Sequence, residues 1–437
     1  MPLASRLERY FEFDRLQSNW RTEILAGCTT FMTMAYIIFV NPAILADAGM
    51  PVAAVTVATC LSAAFGSILM GAIARYPIAL APGMGLNAYF TYAVVKGMGI
   101  GWETALGAVF LSGVAFLLLT VTGLRQLIVN AIPTELYAAV AAGIGLFIAF
   151  IGLKNAGIVA AHPATLVSMG NLRTPATALA IGGLLLTAAL TAWRMRAAIL
   201  IGIAATTAAG VLTGITPWSL APHNPQAIAQ TAFHLDIPGA LHIGLAEIIF
   251  AFLFVDLFDN IGTLVGVGTK AGLFDASHRI PRIQRILFTD SLATMFGSLM
   301  GTSTVVSYIE SAAGVAIGGR TGIPAIVTGI LFLLAALLAP FFGVIPSAAT
   351  APALILVGSL MVSHTREIPW HEPRTAIPAF LTILTIPLTF SIANGLAFGF
   401  VSYTVVNAIT GRHRQINWLV YLLTAIFLLR FLWLGSA

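Results

Sequence analysis

Pro77-Ile78-Ala79-Leu80-Ala81-Pro82-Gly83-Met84-Gly85 sits inside a long apolar stretch, yet its prolines prevent a regular helix from end to end. About half a chain later, Gly301-Thr302-Ser303-Thr304-Val305-Val306-Ser307 puts Ser, Thr and β-branched residues where a membrane span is normally Leu-rich. Both stretches read as broken helices. Non-helical backbone at membrane depth survives only when it is buried in protein or lines a cavity. A pair of breaks at corresponding places in two halves of a chain is therefore the best pointer in sequence to a binding site. The half-helices that follow are predicted to begin near Asn87 and Glu310, with their positive N-terminal ends aimed at the breaks.

Outward from the breaks the chain treats the bilayer as its solvent. Of 437 residues 59% are hydrophobic and 8% charged, and mean hydropathy is +0.95, which excludes an ordinary soluble domain. Apolar stretches of about 20 residues recur with short polar gaps, and about fourteen spans are expected. The first begins near Ile24, after an amphipathic segment carrying Arg6, Arg9, Arg15 and Arg21, and is too long for a signal-peptide core. Cys28 and Cys60 lie in apolar runs and read as packing residues. With the N-terminus inside the cell and fourteen crossings to about Gly411, the inner loops receive nearly all the arginines, Arg125 among them. Only Lys96, Lys154 and Arg173 fall outside. The net charge of +5 is thus an orientation signal rather than a nucleic-acid patch. Residues 416–434 are apolar enough for either a further span or a helix along the interface.

Matching punctuation suggests a duplicated, inverted chain. Asn87 lies twelve residues before Gly99-Ile100, as Glu310 lies twelve before Gly322-Ile323, and Ile132-Pro133-Thr134 recurs as Ile345-Pro346-Ser347. The fold expected is an all-α membrane protein of two seven-span repeats. Residues 1–23 form a cytoplasmic segment. The first repeat covers 24–216 (24–123, then 125–216), and residues 217–242 form a linker loop. The second repeat covers 243–411 (243–341, then 345–411), and 412–437 form a C-terminal apolar segment. Apart from the breaks, each half reads as helical throughout.

Three acids stand out in apolar surroundings: Asp256 and Asp259 in Phe254-Val255-Asp256-Leu257-Phe258-Asp259-Asn260-Ile261-Gly262-Thr263, and Glu310. An intramembrane acid costs roughly 2.5–3.5 kcal/mol, so each needs a partner or a function. Asp256 and Asp259 share a helix face at i, i+3. Two nearby acids in a low dielectric do not easily both ionise, so at least one is expected to hold a proton near neutral pH. The bland alternative is that these acids cap broken helices or bond to Ser and Thr; for Asn87 it is an N-cap, which is compatible with ligand contact. Their place beside a duplicated break favours Glu310, Asp256 and Asn87 as substrate ligands and Asp259 as a proton-relay group. Glu247 reads as solvated near a span end. His223, His234, His242, His364 and His371 lack metal-ligand spacing, and the Gly83 and Gly262 motifs lack the βαβ context of a nucleotide loop, so no metal or cofactor is implied.

Four motifs run through nearly the whole chain: Phe31-Met32-Thr33-Met34-Ala35-Tyr36-Ile37-Ile38-Phe39-Val40-Asn41-Pro42, Ala81-Pro82-Gly83-Met84-Gly85-Leu86-Asn87-Ala88-Tyr89-Phe90, the Asp256 to Thr263 run, and Gly301-Thr302-Ser303-Thr304 through Glu310-Ser311-Ala312-Ala313-Gly314. Together they resemble those of the hypoxanthine–adenine–guanine permeases, the 8-azaguanine-sensitive branch of the nucleobase–ascorbate transporter superfamily. The resemblance implies spans one to four and eight to eleven as a mobile core, with the rest as a gate and dimer scaffold in the cell membrane. It also implies purine nucleobase import by proton symport with alternating access. By it, Asn87, Asp256 and Glu310 match purine-binding positions, and Asp259 matches an acid important for transport. Asn260 and Ser307 would stand with Asp259 in a proton-coupling shell, and the backbone at Gly83, Gly85, Thr302 and Ser303 would line the breaks. Asn260 departs from the Thr of many relatives.

The rival within transport is an anion carrier of the same fold for sulfate, bicarbonate or a carboxylate. Two acids at the break oppose it, because an anion site keeps its helix N-termini free of negative charge. A channel lacks its rings of like residues, and a membrane enzyme lacks a nucleophile–base or metal constellation. The lack of an evident carboxylate–carbonyl cage favours protons over sodium.

Overall fold

The computed structural model describes residues 3–217, 225–242, 246–271, 281–338 and 345–434. Two short helices, α1 (Leu3–Tyr10) and α2 (Phe13–Leu16), come first. α3 (Trp20–Met34) is capped by Asn19, whose side chain accepts from the Thr22 N–H at 3.0 Å; it is interrupted at Ala35-Tyr36 and resumes as α4 (Ile37–Ala46). α5 (Val52–Leu69) widens into a π-helical turn at Met70–Ala74. The first break contains the strand β1 (Leu80–Pro82) and then α6 (Met84–Ala88), which continues as π-helix to Gly97. α7 (Trp102–Val121), α8 (Leu124–Ala131) and α9 (Thr134–Asn155) lead to a hairpin of β2 (Val159–His162) and β3 (Leu166–Met169), then α10 (Pro175–Ala192) and α11 (Ala198–Leu212).

Among the described residues the linker holds a 3-10 turn at Pro225–Gln230 and the short α12 (Ile237–Ala240), started by Asp236, which accepts from the Gly239 N–H at 2.9 Å. α13 (Ala246–Ala271) and α14 (Ile283–Met300) open the second half. The second break contains β4 (Val305–Ser307) and α15 (Ser311–Ile317). α16 (Ile323–Ala336), α17 (Ser347–Val362), α18 (Pro373–Thr389), α19 (Ile392–Asn407) and α20 (Trp418–Leu434) complete the chain.

Among the described residues, seven helical stretches are long and apolar enough to cross a membrane: Trp20–Ala46, Val52–Ala74, Trp102–Val121, Thr134–Asn155, Pro175–Ala192, Ser347–Glu367 and Ile392–Gln415. Of the other seven expected crossings, two are the strand-bearing breaks, α11, α16 and α18 are shorter, α13 carries Glu247, Asp256, Asp259 and Lys270, and α14 carries Arg285 and Asp290. α20 packs lengthwise and antiparallel on α19: Thr404 Oγ1 meets Thr424 Oγ1 at 2.7 Å and the Phe400 and Phe427 rings stack at 5.6 Å. The exposed β2–β3 hairpin departs from the all-helical reading of each half, since its eight residues alternate too little to announce a strand pair.

The helices gather into two bundles. In one, α5 packs on α16, α14 on α7, α15 on α3, and α6 on α13. Elements of the first half thus meet those of the second in reciprocal pairs. The other bundle is built by α9, α10, α11, α17, α18 and α19. Its central crossing of α9 on α17 needs glycine, since a Cβ on Gly358 would lie 2.3 Å from the Gly145 carbonyl oxygen.

The two breaks meet as a buried antiparallel sheet, with Leu80 opposite Ser307, Ala81 opposite Val306 and Pro82 opposite Val305. Tyr308 N–H donates to Ala79 O at 3.0 Å and Gly83 N–H to Thr304 O at 2.9 Å, extending the ladder at both ends. The outer edges are also satisfied. Ser67 Oγ on α5 accepts from Leu80 N–H at 2.9 Å and donates to Leu80 O at 3.0 Å. Thr294 Oγ1 on α14 does the same for Val305, at 3.2 and 3.0 Å. Each strand is clasped by one hydroxyl of the helix preceding it.

On the arginine-bearing side, Glu12 takes Arg75 at 3.1 Å and Arg282 at 3.4 Å, and also pairs with Arg15. The N-terminal segment thereby ties the end of α5 to the start of α14. Cys28 is half-buried and Cys60 buried, both as free thiols.

Candidate functional site

A cavity lies between the two bundles, in front of the paired strands. Gly83, Met84 and Gly85 line it from the first break, and Val306 to Glu310 from the second. Asp259 and Thr263 of α13 complete that wall together with Tyr36. The opposite wall is apolar: Val140, Ala141 and Ile144 of α9, and Val357 and Met361 of α17. His364, just past α17 on the arginine-bearing side, also lines it and lies 3.0 Å from Glu367. Sequence gave no sign of this place for His364.

Local structure explains which side chains reach the cavity. α15 starts at Ser311 with Glu310 as its N-cap, so the Glu310 side chain projects from the break itself. The interruption of the first span turns Tyr36 toward it, and Tyr36 Oη donates to Glu310 Oε1 at 2.7 Å. α6 starts at Met84, earlier than expected, because Gly83 rather than Asn87 precedes its first turn. Gly85 packs so closely on α9 that a Cβ there would lie 2.4 Å from Ile144 Cγ2. Tyr308 Oη donates to Pro82 O, fixing its ring across the sheet. Ser307 Oγ has no partner among the described residues, while its N–H donates to Asn260 Oδ1 at 2.9 Å.

The residues singled out from sequence are thus sorted into two layers. Glu310, Asp259, Ser307, Gly83 and Gly85 line the cavity; Asp256, Asn87, Asn260, Thr302 and Ser303 do not. Asn87 is fully buried, donating to Asn41 Oδ1 and accepting from Ser303 Oγ. Asn41 Nδ2 then reaches Thr59 at 2.7 Å and Thr302 at 2.9 Å. Asp256 is 0% exposed and turned away, taking Asn260 Nδ2 at 2.7 Å. The same amide reaches Asp290 Oδ2 at 2.9 Å, which also pairs with Arg125 at 3.2 Å. Asp290 escaped the sequence reading although an acid inside a span is itself a signal. Arg125, counted with the loop arginines, is instead buried. His234, His242 and His371 are exposed; His223 and the Glu247 side chain lie outside the described residues.

Residues 21–398, well over half of the chain, match the Permease family. The chain belongs to that family. It is therefore a multi-pass membrane transporter rather than an enzyme. This permease is 45% identical over 430 residues to the adenine permease AdeP of Escherichia coli, covering 98% of this chain and 97% of that one. It is 46% identical over 450 residues to the guanine/hypoxanthine permease PbuG of Bacillus subtilis, covering 98% and 100%. These relatives place the permease in the purine branch of its family. Among solved structures it is similar in fold to the transmembrane domain of the cyanobacterium bicarbonate transporter BicA, with a TM-score of 0.68 and 14% identity over 87% of this chain and 97% of that one.

Proposed function

We propose that the permease imports purine nucleobases across the cell membrane by proton symport with alternating access. The observation that carries the reading is a pair of carboxylates, Glu310 and Asp259, on one wall of a cavity whose facing wall is apolar. A purine offers ring N–H and exocyclic amino donors to carboxylates, and nitrogen or carbonyl acceptors to a hydroxyl such as Ser307 or to backbone N–H groups at Gly83–Gly85. The rings of Tyr36, Phe258 and Tyr308 offer faces and edges to a flat heterocycle. Asn87 and Asp256 shape the site from behind, Asn87 by holding the two breaks together. The names of AdeP and PbuG support a purine, and the likeness to BicA bears on fold alone.

In this reading the fourteen crossings form two inverted sevens, the bundle of α3–α7 and α13–α16 moves, and the bundle of α9–α11 and α17–α19 serves as gate and homodimer scaffold. The N-terminus is cytoplasmic by the arginine distribution. The cavity lining extends to His364 on that side, so the conformation is inward-facing. Two carboxylates side by side at membrane depth, facing an apolar wall, are costly to ionise unless protons accompany them, which favours proton coupling.

The test is uptake of labelled hypoxanthine, guanine, adenine, uracil and sulfate into proteoliposomes under an inward proton gradient that is then collapsed by an ionophore. Purine uptake that falls with the gradient is expected. Sulfate uptake without purine uptake would overturn the reading.

A further inference from the structure

Behind the cavity lies a second polar set that no substrate contact explains. Arg125 of α8 is 1% exposed; its Nη1 donates to Leu287 O and its Nη2 to Asp290 Oδ2, both at 3.2 Å, while its guanidinium stacks 3.9 Å from the Phe116 ring centroid. The Asn260 amide bridges Asp290 to Asp256, at 2.9 and 2.7 Å. Two carboxylates thus share one guanidinium and one amide. Asp256 Oδ2, Asp290 Oδ1 and Arg125 Nε are buried without a hydrogen-bond partner among the described residues. With both acids ionised the set carries one uncompensated negative charge and orphaned acceptors, the arrangement least tolerated away from water. One proton neutralises the charge and gives the carboxyl pair a donor.

We infer that Asp256 and Asp290 together hold one proton, the coupling ion, at a site separate from the substrate cavity, with Arg125 as the fixed counter-charge. The inference rests on the proton-driven reading above. Loaded, the set contains one guanidinium, one carboxylate and one carboxylic acid, and is neutral. Release of the proton to the arginine-bearing side leaves two carboxylates and a net charge of −1. Among the described residues the other ionisable groups acting on the set are Asp259 of the same helix, on which Glu310 acts in turn, and Tyr137 of α9. The connection to substrate is short: Ser307 lines the cavity, its N–H donates to Asn260 Oδ1, and Asn260 Nδ2 holds both carboxylates. A shift of Ser307 on purine binding moves the amide on which the pair depends.

Asp290→Asn replaces the titrating group with an amide that balances Asp256 against Arg125 permanently. In proteoliposomes this variant is expected to exchange purine by counterflow within about threefold of the unmodified protein, while gradient-driven accumulation drops at least about tenfold and no longer responds to ionophore. Accumulation with unchanged pH dependence would overturn the inference, as would loss of counterflow together with accumulation in folded protein. A second measurement needs neither this variant nor any purine. In protein carrying Asp259→Asn and Glu310→Gln, whose cavity acids cannot contribute, infrared difference spectra are expected to keep a carboxylic-acid C=O band that bleaches as pH rises. Absence of that band would overturn the proton site. If the unmodified protein carries no purine, the substrate reading fails while the infrared result still decides the site.

Discussion

Glu310 and Asp259 differ from the acids behind them in having a face on the cavity. A charge-assisted hydrogen bond contributes roughly 1.5–3 kcal/mol, so Glu310→Ala should weaken purine binding by at least tenfold and up to abolition. Undiminished binding by purified Glu310→Ala protein, measured by calorimetry, would remove Glu310 from the site. Asp259, read from sequence as a proton-relay group, lines the cavity, so Asp259→Asn should lower purine binding as well as coupling, each by about tenfold or more; counterflow at saturating purine separates the two. The acids were legible because charge is rare in such surroundings. What could not be read was which of Asp256 and Asp259 faces the cavity: an i, i+3 pair shares a face, and only the packing of α13 on its neighbours decides which edge of it is dry. Arg125 shows the same blindness, since an arginine after Gly123 looks like any loop arginine until α8 turns it inward.

The elements most specific to this fold are the two strands and their hydroxyl clasps. Ser67→Ala would leave the Leu80 N–H and C=O without partners at a depth where water cannot replace them, costing about 2 kcal/mol or more. Thr294→Val should act likewise on Val305. Thermal unfolding of purified protein checks both: each variant should melt several degrees lower, Ser67→Thr should recover most of the loss, and an unchanged melting temperature would show that another group serves the strand edge. The breaks announced themselves through Pro, Gly, Ser and Thr. Their pairing did not, because a three-residue strand has no period to read and its partner lies more than two hundred residues away. The caps at Asn19, Thr174 and Ser391 follow the usual chemistry of helix starts.

The two bundles touch beside the cavity. Gly85 meets Ile144 there with no room for a side chain. Gly85→Val should therefore slow uptake by about tenfold or more through overpacking, and Ile144→Ala in the same chain should restore much of the rate. If the double variant is as slow as the single one, the contact does not limit motion. Composition and charge asymmetry made the membrane class readable, whereas the packing of α20 on α19 depended on Phe400 and Phe427 finding each other, which apolar composition leaves open. The paired strands carry one more consequence, for biosynthesis. Leu80–Pro82 leave the ribosome long before Val305–Ser307, and until then Ser67 can satisfy only one of their edges. The nascent first half must wait in the bilayer with an unfinished strand, so the cavity in front of the paired strands cannot exist in any partial chain and its assembly falls late in folding.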